Sequence, residues 1–139
     1  MNATAKPVPI PDADTRPFWE ACRAHELRAQ RCSACGRFRW PPQGFCPKCH
    51  SWEFEWVHLS GRGTIKSFSV VHHSAIPSFK DHLPYIVAVV ELDGTDGRVA
   101  ITSNVVDYPW EDVKVGMQVE VAFDDRSPES TIPQFRSAQ

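Results

Sequence analysis

RCSACGRFRWPPQGFCPKCHSWEFEWVHLSGRG, residues 31–63, is the stretch whose reading decides the fold. Cys32-Ser-Ala-Cys35 and Cys46-Pro-Lys-Cys49 each set two thiols one turn apart, and ten residues separate the pairs. Two such knuckles facing each other complete a tetrahedral shell of four thiolates around Zn²⁺. Gly36 behind the first pair and Pro47 inside the second supply turn chemistry. Four protein ligands leave no position for water, so the expected cofactor is one structural zinc with no catalytic part. His50 reads as a neighbour of Cys49 only. With no helical period, the stretch reads as two knuckles joined by a short hairpin, a rubredoxin-like zinc ribbon over residues 31–56.

On the N-terminal side, Pro7, Pro9 and Pro11 rule out a helix or a sheet ladder and predict an extended arm lying over the body or a partner. Asp14 or Thr15 can cap a helix, and Pro17 suits its first turn. Phe18, Trp19, Cys22 and Leu27 then give an apolar face while Arg23, Glu26 and Arg28 stay wet, which predicts a helix over about 16–28. Residues 1–30 are thus an arm and a helix. Cys22 could serve as a nucleophile; sharing a face with Phe18 and Trp19, it reads instead as core.

On the C-terminal side, strand-like segments follow at short intervals: GTIKSFSVVHH, YIVAVVEL, RVAITSNVV and MQVEVAF. Asp93-Gly94 and Asp96-Gly97 mark a tight connection. Val119, Val121 and Phe123 alternate with Glu120, Ala122 and Asp124 as in a half-buried strand, and the apolar run Tyr85–Val90 predicts a strand buried on both sides. Four or five short strands are too few for a sandwich and suit a small closed barrel of the OB type over residues 57–139. The expected fold is mainly β: an N-terminal helix, the zinc ribbon, then the OB-fold barrel. PSFKDHLP, between the first two barrel strands, is long for a hairpin, and long loops on small barrels tend to carry function.

At 139 residues, 42% apolar and 23% charged, the chain has a soluble globular composition and room for one compact body. No apolar run reaches 18 residues and the N-terminus lacks a signal core, so a cytoplasmic protein with no membrane partner is expected. Five cysteines, four of them in CxxC pairs, fit a reducing compartment. Residues 1–56 carry 8 Lys and Arg against 6 Asp and Glu, while residues 57–139 carry 7 against 11. An acidic barrel is the reverse of what a polyphosphate backbone selects.

Outside the cysteines the chemistry is sparse. His72, His73 and His82 flank the long loop and are candidates for acid/base or ligand roles, although neighbours on a strand point to opposite faces, leaving one of the first two exposed. Arg98 at a strand start is a candidate phosphate contact against the plainer reading of a solvated edge charge. Phe79, Tyr108, Pro109 and Trp110, in or near loops, form a contact surface for a ligand or partner, or cap the barrel ends. There is no Walker loop, dinucleotide fingerprint, nucleophile elbow or metalloprotease helix in the sequence.

Taken in order, FWEA, RCSACGRFRWPPQGFCPKC, WVHLSGRGTIKSFSVVHH, LPYIVAVVEL, VGMQVEV and the terminal IPQF resemble the zinc-ribbon/OB-fold proteins catalogued as an acyl-CoA-associated domain of unknown function, from about Phe18 to Phe135. The resemblance implies an accessory, non-catalytic subunit of a thiolase-fold enzyme (thiolase, acyltransferase or aldolase), completing or shielding an acyl-CoA channel, with the chemistry in the partner. Carried over by position, the four cysteines take the family's metal role. Ser74–Leu83, whose Pro77, Phe79 and Pro84 match a Pro/Phe-containing loop, and Asp107–Val113 are where contact with partner or pantetheine is implied. His73-Ser74 stands where many relatives have Arg-Pro. Candidate ligand-binding residues are therefore His73, Phe79, Arg98 and Trp110.

Two other classes compete. A zinc ribbon beside an OB barrel is also a single-stranded nucleic-acid architecture, with Phe68 and Tyr85 as stacking platforms, and the acidic barrel opposes it. An independent enzyme built on His72, His73 and His82 lacks a nucleophile and an open metal position.

Overall fold

Arg16–Arg23 forms α1, with Pro17 in its first turn and Phe18, Ala21 and Cys22 buried. Thr15 and Asp12 hold its entry by exchanging side-chain acceptors, Thr15 N–H to Asp12 Oδ1 at 2.8 Å and Asp12 N–H to Thr15 Oγ1 at 3.1 Å. The helix stops five residues short of the expected Arg28. Glu26 N–H reaches the Ala21 carbonyl and His25 N–H the Cys22 carbonyl, both at 2.9 Å, closing a Schellman turn with His25 left-handed at φ 59°. Leu27 and Arg28 belong instead to β1, Leu27–Cys32, whose Leu27 and Ala29 point inward with the two-residue period of a strand.

The computed structural model describes residues 5–138. Its first sheet has the order β2-β1-β3, with β2 at Phe38–Arg39 and β3 at Phe54–Leu59. The ribbon is thus a three-stranded sheet rather than two knuckles joined by a hairpin: the first knuckle is itself the β1–β2 turn, and the second lies between β2 and β3.

The barrel is closed in the order β4-β5-β6-β8-β7, formed by β4 Arg62–Val71, β5 Tyr85–Leu92, β6 Ala100–Val105, β7 Gln118–Ser127 and β8 Ser130–Ser137. Closure comes from Gly63 pairing with both Leu92 and Val119. A Cβ on Gly63 would sit 2.6 Å from the Glu91 carbonyl oxygen, so only glycine lets the strands approach there. β5 is not buried on both sides: Ile86, Ala88, Val90 and Leu92 point inward while their alternates are half-buried. Phe135, Val99, Val119 and Ile65, all at 0% exposure, fill the centre, and the same apolar cluster runs through Leu59 to Leu27, Cys22 and Phe18. Ribbon, helix and barrel therefore share one core.

Candidate functional site

The two knuckles repeat one geometry. In the first, Gly36 N–H donates to the Cys32 carbonyl and Cys32 N–H to the Arg37 carbonyl; in the second, His50 N–H donates to Cys46 and Cys46 N–H to Ser51, all at 2.9 Å. The position four after the leading cysteine is left-handed in both, Gly36 at φ 79° and His50 at φ 65°. His50 therefore has a backbone role. Cys32 and Cys46 are buried and Cys35 and Cys49 exposed.

Cys32 Sγ lies 3.6 Å from Cys49 Sγ, Cys35 Sγ lies 3.6 Å from Cys46 Sγ, and all four sulfurs fall within 4.8 Å of one another. A tetrahedral zinc with Zn–S bonds of about 2.3 Å needs sulfur–sulfur edges of about 3.8 Å, so the donor set closes on the metal with shifts of about 1 Å or less. The backbone N–H of Cys35 points at Cys32 Sγ (3.5 Å) and is the main cause holding that thiol below its ordinary range. Backbone donors from Cys49 and Lys48 bring Cys46 down to about 6. N–H groups aimed at sulfur favour the thiolate, the form that binds zinc, at Cys32 and Cys46. At Cys49 the Ser51 N–H acts the same way but is outweighed by desolvation and by hydrogen bonds with the Cys32, Cys35 and Cys46 sulfurs, which push that thiol up to about 11. Cys22 is the opposite case: fully buried, with its thiol pushed up to about 12 by desolvation, it is a core residue.

A second feature lies at the barrel end where β5 begins and β6 ends. The segment between β4 and β5 is a 3-10 turn, Pro77–His82, rather than an open loop, and a single such turn at Trp110–Asp112 faces it. Between them is a cavity of about 310 Å³ that brings together Phe79, His82, Tyr85 and Trp110. Phe79 is half-buried, its ring 5.6 Å from that of Tyr85 and 5.7 Å from Lys6 Nζ of the arm. Trp110 is 39% exposed and meets His72 edge-on at 5.0 Å. Asn104 closes the floor, donating to the Ile86 carbonyl at 2.9 Å.

Of the candidates, Phe79 and Trp110 line this cavity and His73 and Arg98 do not. β4 ends at Val71, so both His72 and His73 are exposed, not one of them. Arg98 sits in the exposed turn at the far end of the β5–β6 hairpin. Lys6, Asn104 and Gln134 line the cavity without having been singled out from sequence. Asn104 and Gln134 interrupt apolar strand patterns, which is the signal that could have marked them. Among the described residues no helix is long and apolar enough to cross a membrane.

Comparison with known proteins agrees with this architecture. The ChsH2 rubredoxin-like zinc ribbon domain matches residues 19–55, and the ChsH2 C-terminal OB-fold domain matches residues 56–124. A probable enoyl-CoA hydratase alpha subunit of Thermomonospora curvata is 37% identical over 96% of this chain and 40% of its own length. A DUF35 domain-containing scaffold protein of Methanocaldococcus jannaschii is 44% identical over 67% of this chain and 64% of its own. The chain thus spans less than two thirds of either relative. A solved chain of an Ltp2-ChsH2(DUF35) aldolase superposes with a TM-score of 0.85 at 34% identity, over 94% of this chain and 99% of that one. With zinc ribbon and OB barrel matched in order and the fold shared over 94% of the chain, this protein belongs to the ChsH2-type DUF35 family of zinc-ribbon/OB-fold proteins.

Proposed function

We propose that this chain is a non-catalytic accessory subunit of an acyl-CoA-processing complex, that it docks on a thiolase-fold enzyme, and that its Phe79–Trp110 cavity lies at that contact and helps form the acyl-CoA channel. The observation that carries the reading is the likeness to a chain of an aldolase complex along 99% of that chain's length. The chemistry of the cavity supports it. Its aromatic walls suit an aliphatic thioester arm or an apolar partner side chain, and Lys6 at the rim adds one positive charge. At about 310 Å³ it is at the small end of ligand pockets, as expected of half a site finished by another subunit. The zinc keeps a structural part, since four cysteines fill its coordination shell. The test is reconstitution: a thiolase-fold partner is assayed on acyl-CoA with and without this chain. Turnover or acyl-CoA binding that rises on adding the chain supports the reading, and a partner equally active alone defeats it.

A further inference from the structure

The ribbon buries a charge that none of its ion pairs answers. Arg39 is 3% exposed and stands in β2 opposite Gln30 of β1, itself 2% exposed. Arg39 Nε donates to Gln30 Oε1 at 2.9 Å, its Nη2 donates to the Gln43 carbonyl at 2.8 Å, and its guanidinium covers the Phe54 ring at 4.7 Å. Nη1 is buried without an acceptor, and among the described residues the carboxylates in ion pairs are held by other cations. A guanidinium keeps its proton at any working pH, so it cannot escape burial by becoming neutral. Buried charge is retained where an opposite charge stands near.

We infer that Arg39 is a positioning residue for the zinc centre, its buried charge offsetting the net negative charge of a tetrathiolate shell while its hydrogen bonds brace the second cysteine pair against the first. Four thiolates around one Zn²⁺ leave two negative charges uncompensated at the centre. Gln30 and Cys32 are two positions apart on β1, on the same face and about 7 Å apart along the strand. Arg39, paired with Gln30, therefore stands on the sulfur side of the sheet. The brace is equally direct. Gln30 Oε1 also accepts from the Gln43 N–H at 2.9 Å, so Gln30 and Arg39 together fix the chain that leads from β2 to Cys46. The inference rests on the zinc site and is independent of the docking proposed above.

The experiment measures zinc release from the intact zinc-loaded protein into excess chelator, with circular dichroism for the fold and cobalt substitution for the thiolate charge-transfer band. Arg39→Met removes charge and brace, and release should quicken by about tenfold or more, the usual scale for groups that support metal ligands. Gln30→Glu separates the two contributions, because it keeps both acceptor roles of Oε1 but gives Arg39 a carboxylate of its own. If the tetrathiolate depends on that charge, Gln30→Glu also releases zinc faster although its new ion pair is well made. Thr95→Val, in the barrel, controls for general destabilisation passed through the shared core and should quicken release far less than Arg39→Met does. Gln30→Glu protein that holds zinc as long as the unaltered chain, or longer, overturns the charge offset, even where Arg39→Met fails to fold, and folded Arg39→Met protein that releases zinc no faster overturns the brace with it. Release that quickens equally in Thr95→Val overturns it too.

Discussion

At the residue scale the cysteines divide by environment. Four have backbone donors or sulfur partners at hand and one has neither. One zinc per chain is expected, and because a closed four-cysteine site contributes folding free energy of about 10 kcal/mol or more, Cys32→Ala or Cys49→Ala should yield insoluble or protease-sensitive protein. Cys22→Ala should fold and keep its zinc, losing about 1 kcal/mol to a small cavity, read by denaturant titration and metal analysis. Equal damage from all three would contradict the division. This part of the site was legible in the sequence because the knuckle is local: ligands, turn residue and N–H donors fall within six positions. Arg39 was not legible, since a basic residue between Phe38 and Trp40 looks like any strand-edge charge until the sheet shows Gln30 opposite it.

At the element scale, the end of α1 shows why a periodic reading overran. Leu27 continues the apolar face of the helix and also begins the alternation of β1, and the residue that decides between them, His25, is not the glycine that usually marks a helix stop. Its left-handed backbone is held from a distance: the ring stacks on Phe123 at 5.0 Å, and Nε2 lies 2.9 Å from Asp125 Oδ1 on β7. No local pattern can announce a partner 100 residues away. His25, and Thr131 after it, hold the Asp125 carboxyl below its ordinary range. A depressed carboxylate stabilises the fold above its ordinary pKa and loses that contribution as pH falls through the folded-state value. The melting-temperature gap between the unaltered chain and Asp125→Asn should therefore be open at pH 6 and close as pH drops below about 3.8, the ordinary Asp value. A gap that persists unchanged at acid pH would rule the carboxylate out. β8 was glimpsed only as IPQF because Pro133 interrupts its pattern; the ring sits within β8, opposite Phe123.

The loop between β4 and β5 was legible as unusual by its length, and the structure shows its residues folded back so that Phe79 rests on Tyr85. If the cavity is a docking surface, Phe79→Ala should lower affinity for the partner by about 2 kcal/mol, roughly thirtyfold in Kd, while leaving zinc content unchanged and thermal stability of the isolated chain nearly so. Calorimetric titration against the partner, with a thermal melt of the free variant, separates interface from core. A variant that unfolds by itself would assign Phe79 to the core, and one that binds normally would remove it from the interface.

At the scale of the whole molecule, the ribbon and the barrel are one cooperative body through the cluster that joins Phe18 and Leu27 to Leu59 and the barrel strands. Chelation should therefore loosen more than the ribbon: loss of zinc is expected to lower the melting temperature of the barrel's β signal as well, whereas a two-step melt with an untouched barrel would show the units to be independent. The fold was readable at this scale because cysteine spacing and strand rhythm are both short-ranged, while the pairing of two distant segments around one cavity arises only when the barrel closes. The central claim is that the chain works as part of an acyl-CoA enzyme. Its most direct test is purification of the tagged chain under native conditions with identification and stoichiometry of what comes with it. The account predicts a thiolase-fold acyl-CoA enzyme in fixed ratio, depleted when Phe79 is replaced by Ala. A chain that elutes alone, folded and zinc-loaded, with no acyl-CoA enzyme bound, would contradict it.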